Sequence, residues 1–334
     1  MARRILITGS VGFVGRHLLR ALSAMLPPGD EVIATALAPL PPDLPCRQLD
    51  VGDAAAVRAA LRELRPTHTV HLAGLASPPE AARRPGAAWQ VNVAGTINVA
   101  ESVAAEAPGG MLLCVSTAEV YGRSFLAGRP LDEAALLDPA TVYARSKAAA
   151  EAAARDILAE HGRLVIVRPF NHTGPGQDER FVVPAFAAQV ARIRLGLATP
   201  VLNVGNLSAE RDFLDVRDVV RAYGEIILGS DALPAVATFN VASGQLRRIG
   251  SILDDLRDAA GCAFEVRHDP ERQRPSEIPR MAGDGAALSR ALGWRPQIDW
   301  RDTVGAILDD WTRRLAHERA ADGTGPPAAP ARGA

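Results

Sequence analysis

Apolar residues in this chain gather into short continuous blocks, and stretches with helical spacing of apolar and polar positions run between them. Arg4–Thr8 and Glu31–Ala36 read as buried strands, and Gln48-Leu49-Asp50-Val51-Gly52-Asp53 reads as a short third one. Thr69-Val70-His71-Leu72 is a fourth strand, Met111–Val115 a fifth and Leu164–Arg168 a sixth. Val14–Leu26, Ala54–Leu64 and Ala87–Ala105 carry the helical spacing, and Pro27-Pro28 stops the first of them. Five strand–helix units therefore precede the sixth strand. Such alternation predicts an α/β fold, a parallel sheet with helices on both faces.

The pattern breaks after Arg168. Pro169–Gly176 is a loop rich in turn residues, followed by a helix over Phe181–Leu195 and a short strand at Val201–Val204. Arg211–Val216 returns to strand, Asp218–Leu228 to helix and Thr238–Ala242 to strand. A polar loop at Arg272–Pro279 and a last helix at Trp300–His317 complete the reading. Residues after Arg319 are rich in Ala, Gly and Pro, the composition of a disordered tail.

With 334 residues the chain has room for one large domain or two closely joined ones. A net charge of −1 with no evident basic face argues against nucleic acid or an anionic membrane as partner. Cys46, Cys114 and Cys262 are far apart and odd in number, which gives neither a disulfide framework nor metal-ligand spacing. The first residues lead directly into a strand, and no apolar run approaches the ~20 residues of a membrane span. A soluble, cytoplasmic protein without a metal is expected.

Three stretches carry chemistry. Gly9-Ser10-Val11-Gly12-Phe13-Val14-Gly15 lies between the first strand and the first helix. Glycines there let a backbone approach a pyrophosphate, and the helix N-terminus adds N–H groups and a positive dipole end, so the turn reads as a dinucleotide site. A carboxylate near the end of the second strand usually holds the ribose 2′-hydroxyl, and Thr35-Ala36-Leu37-Ala38 has none. That favours NADPH over NADH, although no arginine for a 2′-phosphate is evident in the sequence. Asp50, in the third strand, is placed to reach an adenine; Asp53 fits a helix N-cap better.

Tyr143 and Lys147 stand four apart, hence on one helical face. Lys147 is the only lysine among 37 basic residues. A neighbouring ammonium makes a phenol a usable acid or base, which a guanidinium fork does less well. Ser116-Thr117-Ala118-Glu119 follows the fifth strand, where ligand chemistry collects in doubly wound sheets. Thr117, or Ser116, is the candidate partner of Tyr143 on a carbonyl oxygen; Glu119 reads as a base, a hydroxyl ligand or a loop carboxylate. His71 reads as a packed strand residue, and Asn92 as either a ligand of backbone groups beneath the site or a solvated helix residue.

Together the glycine turn, His71-Leu72-Ala73-Gly74, Ser116–Gly122, Tyr143-x-x-x-Lys147, Arg168-Pro169-Phe170-Asn171 and Arg211–Val219 resemble the extended short-chain dehydrogenase/reductases acting on nucleotide-diphospho-sugars. The resemblance runs from Ile5 to about Arg314. Within that superfamily, Arg168–Gln177, Phe181-Val182, Arg274–Pro279 and Gly293–Pro296 are similar to the reductases of GDP-4-keto-6-deoxy-mannose.

The resemblance implies a Rossmann-type doubly wound parallel sheet, residues 1–170 plus about 212–240, with a smaller C-terminal α/β domain. That second domain, about 171–211 plus 241–318, would clamp a GDP-deoxysugar. Thr117, Tyr143 and Lys147 become the catalytic set, with Glu119 beside them. Cofactor contacts are expected from Gly9, Gly12, Phe13, Val14, Gly15, Asp50, Val51, Leu72, Ala73, Gly74, Tyr143, Lys147 and Arg168. Substrate contacts are expected from Thr117, Glu119, Asn171, Phe181, Val182, Arg211, Arg274 and Glu277. An arginine fork suits a diphosphate, although Arg211 and Arg274 would each also pass as surface ion-pair residues. Relatives are commonly homodimers. A dehydratase with Glu119 as base, an epimerase, and a non-catalytic nucleotide sensor are the rival readings; a sensor would tend to lose the Tyr or Lys.

Overall fold

A computed structural model describes residues 2–37, 45–160, 162–270 and 278–321. The chain divides into two compact units, one of Met1–His172, Asp212–Leu246 and Arg280–Gln297, the other of Thr173–Arg211, Arg247–Pro279 and Ile298–Ala334. Arg280–Gln297, which the linear reading places with the second region, packs within the first: the Trp294 indole donates to the Asp218 carbonyl at 3.2 Å, and the Leu131 amide to Ala282 at 3.0 Å.

The first unit begins with β1 (Arg4–Thr8), α1 (Phe13–Met25), β2 (Glu31–Ala36), β3 (Arg47–Gln48), α2 (Ala54–Leu64) and β4 (His68–His71). It continues with α3 (Pro78–Arg83), α4 (Pro85–Trp89), α5 (Gly95–Glu106), β5 (Met111–Val115), α6 (Val142–Leu158) and β6 (Arg163–Pro169). Next come β7 (Asn171–Thr173), α7 (Val182–Arg194), β8 (Val201–Val204), β9 (Glu210–Asp215), α8 (Val216–Leu228) and β10 (Val236–Val241). The remaining elements are β11 (Leu246–Arg248), α9 (Ser251–Ala260), β12 (Glu265–His268), β13 (Arg280–Met281), α10 (Ala286–Leu292) and α11 (Trp300–Ala321).

Seven strands form one parallel sheet in the order β10-β6-β5-β4-β1-β2-β3. The order reverses beside β1, so β1 and β4 flank the crevice where a doubly wound sheet binds its ligand. Leu6, Leu112, Cys114, Leu164 and Ile166 pack with Val57, Leu61, Val99, Val103, Ala154 and Leu158 of α2, α5 and α6. Strand alternation turns the equally buried Ile5 and Ile7 to the other face. Burial on both faces explains why these strands read as unbroken apolar blocks. The second unit holds the parallel pair β8–β12 and the mutually packed α7, α9 and α11.

Three expectations are corrected. The third strand stops at Gln48, because the Asp50 carboxylate accepts from the Gly52 amide at 2.8 Å and turns the chain there. The helix expected at 87–105 starts at Pro85, and Gln90–Ala94 form a π-helical turn before α5. The last helix runs on to Ala321, so the first residues of the expected tail are helical; residues 322–334 lie outside the described ones. No helix among the described residues is long and apolar enough to cross a membrane.

Candidate functional site

The glycine turn is built around backbone proximity. Gly9 has φ +71°, and a Cβ there would lie 2.7 Å from the Ala73 nitrogen, so only glycine lets β1 and β4 close together at this point. A Cβ on Gly15 would stand 2.6 Å from the carbonyl oxygens of both Gly9 and Ser10. Gly12 is the N-cap of α1, with no side-chain cap and no acidic residue in the first turn. The first N–H groups of α1 thus meet no anion of the protein's own, and the turn is a cradle for a pyrophosphate. The Phe13 ring contacts His17 edge-on at 5.3 Å and stacks on His172 at 6.3 Å; Val14 is half-buried beside it.

At the end of β4 a chain of hydrogen bonds fixes the next part of the cradle. The Ala73 amide donates to Thr8 Oγ1 at 3.3 Å, and Thr8 Oγ1 lies 2.8 Å from His71 Nδ1. His71 Nε2 lies 3.2 Å from Thr96 Oγ1, whose own proton goes to the Asn92 carbonyl at 2.6 Å. Thr96 must therefore accept, which puts the His71 proton on Nε2 and leaves Nδ1 to accept from Thr8. Burial lowers the His71 pKa to about 3, with the Lys147 charge adding to the effect. His71 is a packed strand residue, as its position in an apolar block suggests. Asn92 is wholly buried: its carbonyl accepts from Leu75 N at 2.8 Å, and its amide donates to Leu75 O at 3.3 Å and to Ser146 Oγ at 2.9 Å. The π turn aims this side chain at the strand end, a recurring use of such turns. Leu72 bonds β1 through its amide, and Gly74 lies against Asn92 and the Lys147 ammonium.

The reactive groups gather at the C-terminal end of β5. Thr117 caps the 3-10 turn Ala118–Tyr121, its Oγ1 accepting from the Glu119 amide at 3.2 Å. Thr141 caps α6 by accepting from Ala144 N at 3.0 Å and donates to the Glu119 carboxylate at 3.5 Å. Tyr143, on the first turn of α6, has the Thr117 hydroxyl as a neighbour. Thr117, Tyr143 and Lys147 retain 9%, 8% and 8% exposure: dry enough for strong electrostatics, yet reachable. Burial, and then the Glu119 charge, push the phenol pKa up; the nearby Thr117 hydroxyl opposes them. Lys147 donates to the Val115 carbonyl at 2.7 Å, and burial lowers its pKa while the Glu151 charge opposes that. The expected lowering of the Tyr143 pKa by Lys147 is not what the geometry gives. The ammonium is drawn to the strand end instead of the phenol.

Arg168 needs a correction. It lies in the core at 3% exposure, its guanidinium bonded to Glu151 at 2.7 and 3.0 Å, to Tyr121 Oη at 3.0 Å and to the Glu133 carbonyl at 3.2 Å. These bonds commit the side chain to structure, so Arg168 is withdrawn as a cofactor ligand. Glu151, on the same stripe of α6 as Tyr143 and Lys147, also accepts from Ser116 Oγ at 2.5 Å. The 143–147–151 spacing carried this signal, and the sequence reading passed over Glu151.

Other expected residues are placed as follows. Val51 is buried, and its carbonyl accepts from Asn98 at 2.8 Å. Asp50 spends one carboxylate oxygen on its own turn. In the first unit Asn171 is exposed on β7. In the second unit Phe181 is the N-cap of α7, and Val182 opens that helix at 36% exposure. Arg211 donates to the carbonyls of Glu210, Ile278 and Pro279 at 2.8, 3.0 and 3.2 Å, which braces it on the far end of the polar loop. Arg274 and Glu277 lie outside the described residues.

Comparison with known proteins bears on this geometry. Residues 5–242 match the model of the NAD dependent epimerase/dehydratase family. The chain is 37% identical over 319 residues to GDP-6-deoxy-D-mannose reductase of Pseudomonas aeruginosa, covering 95% of this chain and 100% of that protein. It is 28% identical to GDP-6-deoxy-D-talose 4-dehydrogenase of Aggregatibacter actinomycetemcomitans, covering 92% and 96%. Among solved structures, RMD from Pseudomonas aeruginosa complexed with NADPH superposes with a TM-score of 0.82 at 35% identity, covering 94% of this chain and 100% of that one.

Proposed function

The chain belongs to the NAD dependent epimerase/dehydratase family, whose enzymes are NAD(P)-dependent, and we propose that it reduces the C4 ketone of GDP-4-keto-6-deoxy-D-mannose to GDP-D-rhamnose with NADPH. The observation that carries the reading is the gathering of Thr117, Tyr143 and Lys147, all nearly buried, at the C-terminal end of β5 beside the glycine cradle, with burial keeping the phenol protonated. A reductase needs its tyrosine as an acid.

The cradle fits a dinucleotide on the geometry of Gly9, Gly12 and Gly15, with Phe13 and Val14 opening α1. Asp50 and Val51 would hold the adenosine end; Leu72, Ala73, Gly74, Tyr143 and Lys147 would hold the nicotinamide end. NADPH, when bound, supplies the hydride. Tyr143 donates its phenolic proton to the oxygen that gains charge. Thr117 Oγ1 already accepts from Glu119 N, so its own proton is available to the same oxygen. Lys147, held under Gly74, offsets the charge left on the phenolate and is in reach of a ribose placed there. Asn171, Phe181, Val182, Arg211, Arg274 and Glu277 would hold the GDP-sugar, Arg211 from its braced position. We expect a cytoplasmic homodimer, and sedimentation of the purified protein tests the dimer.

Glu119 favours a second reading. Its charge is felt by Tyr143, where a dehydratase would keep a base. Reduction with NADPH carrying deuterium at the transferred position separates the two. Deuterium at C4 of a new GDP-deoxyhexose supports the reductase, and NMR of that product gives the C4 configuration. Conversion of GDP-mannose to a keto sugar without added cofactor supports the lyase.

A further inference from the structure

We propose that Arg16 selects NADPH over NADH by binding the 2′-phosphate of the adenosine ribose. The inference rests on the cofactor reading above and supplies the arginine that the sequence did not reveal.

Arg16 lies in the first turn of α1, and its Nε donates to the Val11 carbonyl at 2.9 Å. Val11 follows Ser10, whose amide and hydroxyl both donate to the Thr35 carbonyl at 3.0 Å. This run of contacts, Thr35 to Ser10 to Val11 to Arg16, links the guanidinium through the glycine turn to the residues that bond the C-terminal half of β2, beside the anion cradle. The ribose hydroxyls of a dinucleotide lie at that strand end in a doubly wound sheet.

Chemistry at the rim suits a phosphate and not a hydroxyl. A site for NADH places a carboxylate here to accept from the 2′-hydroxyl. In this chain β2 ends at Ala36, and the next residue, Leu37, is 63% exposed. The Thr35 hydroxyl is used on the Ile7 carbonyl at 2.9 Å. Arg16 itself is exposed, and no salt bridge to a described residue engages it. With Nε tethered, the two terminal nitrogens present a forked donor pair of the kind that matches a phosphate. The other arginine at this edge, Arg47, is committed to Glu63 through two bonds of 2.9 Å. Arg20, one turn further along α1, is exposed and makes no bond to the glycine turn.

Calorimetric titration with 2′,5′-ADP and with 5′-AMP tests this without any turnover. The wild-type protein should prefer 2′,5′-ADP. Arg16→Ala should lose about tenfold or more of that preference, Arg16→Lys should retain part of it, and the charge-matched control Arg20→Ala should keep it in full. The NADPH/NADH ratio of dissociation constants should fall in step. An undiminished preference in both Arg16 variants overturns the inference, as does a wild type that ignores the 2′-phosphate. A protein that binds 2′,5′-ADP through Arg16 yet leaves the keto sugar untouched keeps this inference and ends the reading of the reaction.

Discussion

The Lys147 ammonium lies 2.7 Å from the carbonyl oxygen of Val115, the last residue of β5, instead of against the phenol one turn before it on α6. The tyrosine and the lysine thus face different groups, Tyr143 the Thr117 hydroxyl and Lys147 the strand end under Gly74. A division of labour follows, in which the phenol delivers the proton and the ammonium anchors the cofactor end of the site.

Tyr143→Phe removes the proton donor and little else. Turnover should fall by about 10²–10⁴-fold, while the dissociation constant for NADPH stays within a factor of about two. Lys147→Arg should weaken NADPH binding as well as turnover, because the fork does not fit where a compact ammonium sits. Calorimetry beside steady-state kinetics checks both; unchanged cofactor affinity in Lys147→Arg would contradict the division.

Gly15→Ala places a methyl 2.6 Å from two carbonyl oxygens of the turn. The loop must open to admit it, which moves the N–H groups that hold the pyrophosphate. Dinucleotide affinity should fall by about tenfold or more, with a smaller loss of melting temperature. Wild-type affinity in this variant would mean that the cradle is not where the dinucleotide binds.

Arg168→Met leaves the buried Glu151 with only the Ser116 hydroxyl and the longer 3.5 Å pair to the half-buried Arg155. Breaking a buried pair costs about 3–5 kcal/mol, so denaturant unfolding should shift strongly. The companion change Glu151→Leu should recover much of the loss in the double variant. A variant that melts like the wild type but loses NADPH affinity would return Arg168 to the cofactor site.

Acid should weaken the fold through two buried histidines. Burial lowers His68 from 6.5 to about 4 and His71 from 6.5 to about 3. Between those values and 6.5 the unfolded chain binds protons that the folded chain refuses, so stability rises with pH across that window. It is full above about pH 6.5 and falls steadily below it. Melting temperatures taken from neutral to mildly acidic pH should show the decline, and His68→Gln should make it shallower. A flat profile would show that both rings are solvated.

Much of this was legible in the residues because burial on both faces writes itself as apolar blocks. β2 and β5 have the bounds read from the sequence, and so does α2, whose cap Asp53 accepts from Ala56 at 3.0 Å. The glycine turn and the Tyr143–Lys147 spacing were visible because local geometry demands those residue types. Long-range pairing was hidden. Glu151 meets Arg168 only after α6 packs beside β6: the 143–147–151 spacing puts Glu151 on the buried stripe of α6 but does not name its partner. The π turn at Gln90–Ala94 escaped for a similar reason, since its purpose is to aim Asn92 at Leu75 and Ser146. Arg16 was one arginine among many until the Val11 carbonyl fixed where it points.

The most direct measurement mixes the purified protein with GDP-4-keto-6-deoxy-D-mannose and NADPH and follows the reduced-nicotinamide absorbance. The account predicts oxidation of one NADPH for each GDP-deoxyhexose formed. A keto sugar that persists while NADPH remains reduced, in protein shown to bind the dinucleotide, would contradict it.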